Sequence, residues 1–214
     1  MRLRRKAEAS TPSEADQQTE AVSVDSDDPT QRPSGPHDAA DLPDDGPERL
    51  DLGSLLVVPE DGYELRLQVD EASGVVQAVV MAGADGALEL RAFAAPRNGD
   101  LWAEARPRIA AEVGQRGGTA TERDGRWGPE LLCRVQVRTP EGQTGTQESR
   151  VIGVNGSRWM LRATLLGKPA TDVEGATEWE DLISRVAVNR GSEAMPVGEA
   201  LPVTMPPQAH RVDQ

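Results

Sequence analysis

The side chains of this chain best suited to chemistry are its arginines. Arg97 follows Ala95-Pro96 just ahead of a helix-prone stretch, and Arg158 stands just after an Asn155-Gly156 turn. Arg134, Arg138 and Arg162 fall on strand faces opposite the apolar ones. A guanidinium is a rigid fork of N–H donors that suits a carboxylate or a phosphate. If these arginines converge, they make a local positive site in a chain of formal net charge −13. If they do not, each pairs with a nearby acid on a solvated face and contributes little. The second candidate is Trp127, in the segment Arg123-Asp-Gly-Arg-Trp-Gly-Pro-Glu130. Its Gly and Pro neighbours suggest a presented tip, and an exposed Trp beside Arg123 and Arg126 has the composition of a protein interface. Trp159 and Trp179 sit in apolar patterns and are expected in the core.

The remaining reactive types point away from catalysis. The one cysteine, Cys133, lies in an alternating apolar run and reads as a buried thiol. A catalytic cysteine needs a histidine, and both histidines, His37 and His210, lie in the tails. The same scarcity leaves no zinc ligand set. No Ser/His/Asp set, Gly-rich phosphate loop or close carboxylate pair stands out. Gly142 and Gly145 lie in a polar loop without the strand-turn-helix setting that phosphate binding needs. The sequence therefore assigns no catalytic residue, no cofactor and no metal ligand.

Composition narrows the partners. An excess of acid disfavours attraction to nucleic acid and to anionic lipid. No apolar run approaches the ~20 residues that span a bilayer. The basic start at residues 1–6 is not followed by the apolar region of a signal peptide, so a cytoplasmic protein is expected. Residues 1–47 are rich in Ser, Pro, Asp and Glu, and positions 13–47 hold ten acidic residues against one basic, Arg32. Such a segment buries too little apolar surface to offset chain entropy, so a disordered acidic tail is expected. The short run around His37 could mark a docking motif at the domain edge.

The elements that must position the arginines lie in residues 48–207. Residues 63–69 alternate, with Tyr63, Leu65, Leu67 and Val69 on one side, as in a half-buried strand. Residues 75–81 and 87–94 continue as strands between Gly-containing turns. Asp100 is a plausible N-cap for a helix carrying Trp102, with Pro107 either kinking it or marking its first turn. Gly117-Gly118 ends the helix, and the stretch to Pro129 reads as a polar loop. Residues 130–138 form a fourth strand, and 139–148 a flexible connection. Residues 150–167 read as a hairpin about Asn155-Gly156, a dipeptide suited to the positive φ angles of a type I′ turn. Thr177 and Glu180 fit a capping box for a second helix with Trp179, Leu182, Ile183 and Val186. An extended arm follows from Met195, and residues 208–214 are expected to fray. The sum is an α+β domain: a largely antiparallel six-stranded sheet with two packed helices, ordered strand-strand-strand-helix twice.

Several segments also carry a family resemblance. Residues 50–59, 92–102, 153–167 and 187–206 together resemble an uncharacterised actinobacterial family, domain of unknown function thirty-seven-ten, over about residues 35–207. Asn155 and Ser157 stand where that pattern has Asp and Pro, and His37 where it has an aromatic. The order of elements is similar to small α/β sandwiches of the secretion-chaperone and photosystem-accessory kind. The resemblance implies no activity. The expected function is a non-enzymatic protein-interaction module, adaptor-like or chaperone-like, contacting an unidentified protein through Arg97, Trp127 and Arg158. The alternative is a small-ligand domain in which arginines, Arg162 included, line a pocket for an anionic group.

Overall fold

Alternating apolar and polar side chains fold this chain into strands with two differently covered faces. The computed structural model describes residues 35–138 and 144–206. In chain order the elements are β1 (His37–Asp38), a 3-10 turn (Ala39–Asp41), β2 (Leu50–Asp51), β3 (Leu55–Val57), β4 (Glu64–Val69), β5 (Val76–Ala82), β6 (Gly86–Ala94) and α1 (Leu101–Gln115). They continue with β7 (Thr119–Gly125), β8 (Gly128–Arg138), β9 (Thr144–Asn155), β10 (Trp159–Gly167), α2 (Lys168–Thr171), a second 3-10 turn (Glu174–Ala176), α3 (Thr177–Arg185) and β11 (Ala187–Val188). One sheet has seven strands in the order β4-β5-β6-β10-β9-β8-β7, antiparallel at every pairing. A small sheet has the order β1-β11-β3-β2, with β1 parallel to β11.

The α+β class and the antiparallel pairing agree with the sequence; the six-stranded sheet with two helices does not. β7 occupies the stretch expected as a polar loop; it is an edge strand paired only with β8, and Ala120 is its contact with the core. β1, β2, β3 and β11 are two or three residues long, too short to show a period. α2 adds a single turn. Residues 144–148, read as a connection, open β9. Residues 35–47, assigned to the tail, begin the folded part: Gly35 is buried and the His37 N–H donates to the Val186 carbonyl at 2.9 Å. Their partners, Trp127 and Ser157 among them, lie 92 and 119 residues away, which composition cannot show. The expected disorder of residues 1–34 and fraying of residues 208–214 lie outside the described residues.

Each face of the large sheet has its own core. Leu65, Val79, Leu90, Leu161, Ala163 and Leu165 point toward α3 and the small sheet, where Trp159, Trp179, Leu182 and Ile183 join them. Trp179 meets Tyr63 edge to face, with ring centroids 4.9 Å apart. Leu131, Cys133, Val151 and Met160 point the other way, against Leu101 and Trp102 of α1. β10 serves both cores because its odd and even positions alternate across the sheet.

Asp100 caps α1 as expected, its Oδ1 accepting from Ala103 N at 2.9 Å. The helix runs on through Pro107, which leaves the Ala103 carbonyl without its usual donor. Gly117, at φ 72°, ends it, and Gly118 N donates to the Val113 carbonyl at 2.9 Å. The capping box does not form: the 3-10 turn precedes Thr177, and the Glu180 carboxylate is drawn instead to Arg150 at 2.6 Å. The β9–β10 turn is also not type I′, since neither Asn155 nor Gly156 has positive φ. It spans Gly156-Ser157-Arg158, closed by Gly156 N donating to the Trp159 carbonyl at 2.7 Å. The glycine is needed for space: a Cβ at Gly156 would lie 2.1 Å from the Trp159 ring.

Candidate functional site

Two of the four candidate residues meet at one end of the large sheet. The loop between β6 and α1 carries Arg97, and the loop between β9 and β10 carries Arg158. The two loops are joined by backbone bonds, Ala95 N to the Arg158 carbonyl and Asn98 N to the Ser157 carbonyl, both at 3.0 Å. Asn155 strengthens the junction. Its Nδ2 donates to Asp100 Oδ1 at 2.8 Å, and its Oδ1 accepts from Trp102 N at 3.2 Å. Asn155 thus serves the helix start rather than the turn. Arg97 is exposed and Arg158 half-buried, and neither guanidinium has a hydrogen-bonded or ion-paired acceptor among the described residues.

The N-terminal segment crosses the same end. Asp38 Oδ2 accepts from the Ser157 hydroxyl at 2.8 Å and from Trp159 Nε1 at 3.1 Å, and its Oδ1 accepts from Ala40 N at 3.2 Å. Burial opposes the charge on Asp38, but these three donors outweigh it and hold its carboxyl below the usual aspartate range. The C-terminal arm adds an apolar element. Gly198 N donates to the Ala94 carbonyl and Ala94 N to the Glu199 carbonyl, each at 2.8 Å, which brings Val197, 57% exposed, to the same rim.

Trp127 differs from the expected exposed tip. It is half-buried, its Nε1 donates to the Gly35 carbonyl at 2.8 Å, and Arg126 lies over its ring at 5.0 Å. Arg126 in turn donates to Asp181 of α3 at 2.7 Å. The indole holds the N-terminal segment in place, because a half-buried N–H needs an acceptor and the Gly35 carbonyl supplies one.

Arg162 does not join Arg97 and Arg158. It sits four residues into β10, about 13 Å along the strand, on the face toward α1. Its neighbour is Arg91, directly opposite on β6. Arg91 was missed because only the register of two strands far apart in sequence reveals the pair. Arg134, another of the strand arginines, donates to Glu148 across the β8–β9 ladder at 2.8 Å.

A second feature was also missed. Arg150 of β9 is fully buried and donates from Nε to Glu130 Oε1 at 2.7 Å and from Nη2 to Glu130 Oε2 at 2.9 Å. It reaches Glu180 of α3 as well, and Arg123 pairs with Glu130 at 3.1 Å. Burial works against the Arg150 charge, yet the two carboxylates prevail and raise its pKa above the ordinary arginine value. The signal was an arginine at an inward position of a strand, between Ile152 and the polar Glu148.

Burial pushes the Cys133 thiol up, against a smaller pull from a Ser149 hydrogen bond, so the thiolate that a nucleophile requires is disfavoured. Among the described residues no group of three His, Cys, Asp or Glu is arranged to hold a metal ion, and no helix is long and apolar enough to cross a membrane. An open groove of about 370 Å³ lies at the other end of the sheet, lined by Val137, Glu148, Leu166 and Thr171 among others, and no arginine among the described residues lines it.

Residues 35–212 match the family described as "Protein of unknown function (DUF3710)", and the chain belongs to that family. No curated protein matches the chain. Among solved structures, the chain is similar to the solution structure of cyanobacterial PsbP (CyanoP) from Synechocystis sp. PCC 6803, at 12% identity and a TM-score of 0.38, over 69% of this chain and 96% of that one. A likeness at that level carries no argument about function.

Proposed function

We propose that this chain is a non-enzymatic protein-interaction module, adaptor-like or chaperone-like, whose contact face is the rim bearing Arg97 and Arg158. The observation behind this reading is the pairing state of those two arginines. In a chain of net charge −13, acids are abundant, yet these two guanidiniums have no acid partner among the described residues. They stand on two loops that backbone bonds hold together, so their spacing is set before any partner arrives. Exposed Val197 beside them supplies the apolar contact that arginine-rich interfaces use. The partner that fits is a protein presenting carboxylates next to an apolar patch. Trp127 contributes by fixing the N-terminal segment beneath the rim. A cytoplasmic setting agrees with the single, buried Cys133.

The test is a tagged pull-down from cells that make the protein, at physiological salt, read by mass spectrometry. One protein near stoichiometry is expected, lost on Arg97→Glu with Arg158→Glu and kept on Arg162→Gln. Recovery of the same protein with both rim arginines reversed overturns the reading, and so does a partnerless chain.

A further inference from the structure

The face of the large sheet toward α1 holds a pair of arginines with an unusual environment. Arg91 of β6 and Arg162 of β10 are direct cross-strand partners. Both pack on Phe93, with guanidinium carbons 5.7 Å and 5.3 Å from its ring centroid. Like charges placed opposite each other in a ladder oppose pairing. Both side chains are half-buried, and Arg91 Nε is buried with no hydrogen-bond partner. The nearest acid, Glu89, lies 3.8 Å from Arg162 Nη2, which is ion-pair range but too long for a hydrogen bond. Glu112 of α1 also acts on Arg162, but it is exposed and screened. Burial, then Arg91, depress the Arg162 pKa more than these two acids restore it.

Arginines on the other face show what ordinary pairing looks like. Arg126 reaches Asp181 at 2.7 Å, and Arg150 reaches Glu130 and Glu180 at 2.6–2.9 Å. Neither Arg91 nor Arg162 has a hydrogen-bonded acceptor among the described residues. α1 packs chiefly on β7, β8 and β9, and its nearest acid to the pair, Glu112, makes no hydrogen bond to either arginine among the described residues.

We propose that Arg91 and Arg162 form an oxyanion site that takes the phosphate groups of a small ligand. Two facing forks offer more donors than one carboxylate can accept. A phosphate group supplies a charge of about −1.5 to −2 and three acceptor oxygens, which answers two guanidiniums at once. Phe93 fixes the spacing by stacking under both. The site is separate from the rim carrying Arg97 and Arg158 and does not depend on the role given to that rim.

The test is calorimetric titration of the full chain in phosphate-free, low-salt buffer with inorganic pyrophosphate, and in parallel with ADP. One pyrophosphate per chain is expected. Arg91→Gln and Arg162→Gln should each weaken it by about tenfold, and Arg97→Gln with Arg158→Gln should leave it unchanged. Equal affinity for ADP and pyrophosphate assigns recognition to the phosphates alone; tighter ADP binding identifies a nucleotide source, provided that the arginine variants weaken it too. If the Gln variants do not melt cooperatively, Arg162→Lys decides: it keeps the charge, loses the fork, and should still bind several-fold more weakly. Absence of binding at millimolar pyrophosphate overturns the proposal. Affinity unchanged by the arginine variants does so as well.

Discussion

Both faces of the large sheet carry an arginine in mid-strand, one strand apart. On the face under α3, Arg150 of β9 is fully buried, and two carboxylates close on it within hydrogen-bonding distance. On the face toward α1, Arg162 of β10 is half-buried, faces a second arginine, and has its nearest acid at 3.8 Å. The same side chain is a structural staple in one place and an open donor in the other. What separates them is where α3 lands. It brings Glu180 onto Arg150, whereas the helix acid that acts on Arg162, Glu112 of α1, is exposed and makes no hydrogen bond to it among the described residues. An arginine's role thus follows from the acceptors that tertiary packing delivers to it.

The comparison is most exposed to failure at Arg150. Arg150→Ala takes the hydrogen-bonded cation from Glu180 and leaves buried Glu130 only its 3.1 Å pair with Arg123, and should cost about 3–5 kcal/mol in urea unfolding. A loss below about 1 kcal/mol, the worth of an exposed pair, would put Arg150 in the same class as Arg162. Replacing Arg150, Glu130 and Glu180 together with apolar residues of similar size should recover most of the loss.

A smaller effect tests how tightly α1 seals its own face. A Cβ at Gly153 would lie 2.1 Å from the Trp102 ring, so Gly153→Ala should destabilise by about 1–3 kcal/mol through overpacking. Gly114 in α1 meets nothing within 4 Å. There Ala has the better helix propensity, and Gly114→Ala should stabilise by up to about 1 kcal/mol. Thermal melts of the two variants should move in opposite directions. Movement in the same direction would mean that Trp102 adjusts and the seal is loose.

The smallest expected effect is at the arginine pair. Arg91→Ala removes a like charge from the ladder and breaks no hydrogen bond among the described residues. Ligand-free stability should change by less than about 1 kcal/mol, in contrast to Arg150→Ala. A loss as large as that of Arg150→Ala would make Arg91 a structural staple too.

Much of the fold was legible from local patterns. Residues 63–69, 75–81 and 87–94 alternate or run apolar, and they lie at β4, β5 and β6. Asp100 at the start of α1 and Gly117 at its end follow from capping chemistry that acts over a few residues. β7 was not legible because a polar edge strand has little to bury. The small sheet was not legible because its strands of two or three residues exist only where β1, β11, β3 and β2 meet. Of the candidate contacts, Arg97 and Arg158 were brought together, Arg162 was placed elsewhere, and Trp127 was drawn in to anchor Gly35.

By itself, the sequence determined which positions of each long strand face inward, where α1 begins and ends, and that acid outweighs base. These are properties of spacing and composition, and spacing within a strand or helix is set by the backbone. Only the tertiary structure decided which arginine meets which acid. It alone assigned Gly153 and Gly156 to making room for Trp102 and Trp159, and turned Glu180 from a helix cap into a ligand of Arg150. Each of those outcomes rests on the register between β6, β8, β9 and β10 and on the seat of α3. Such contacts join residues tens of positions apart, and no local period encodes them.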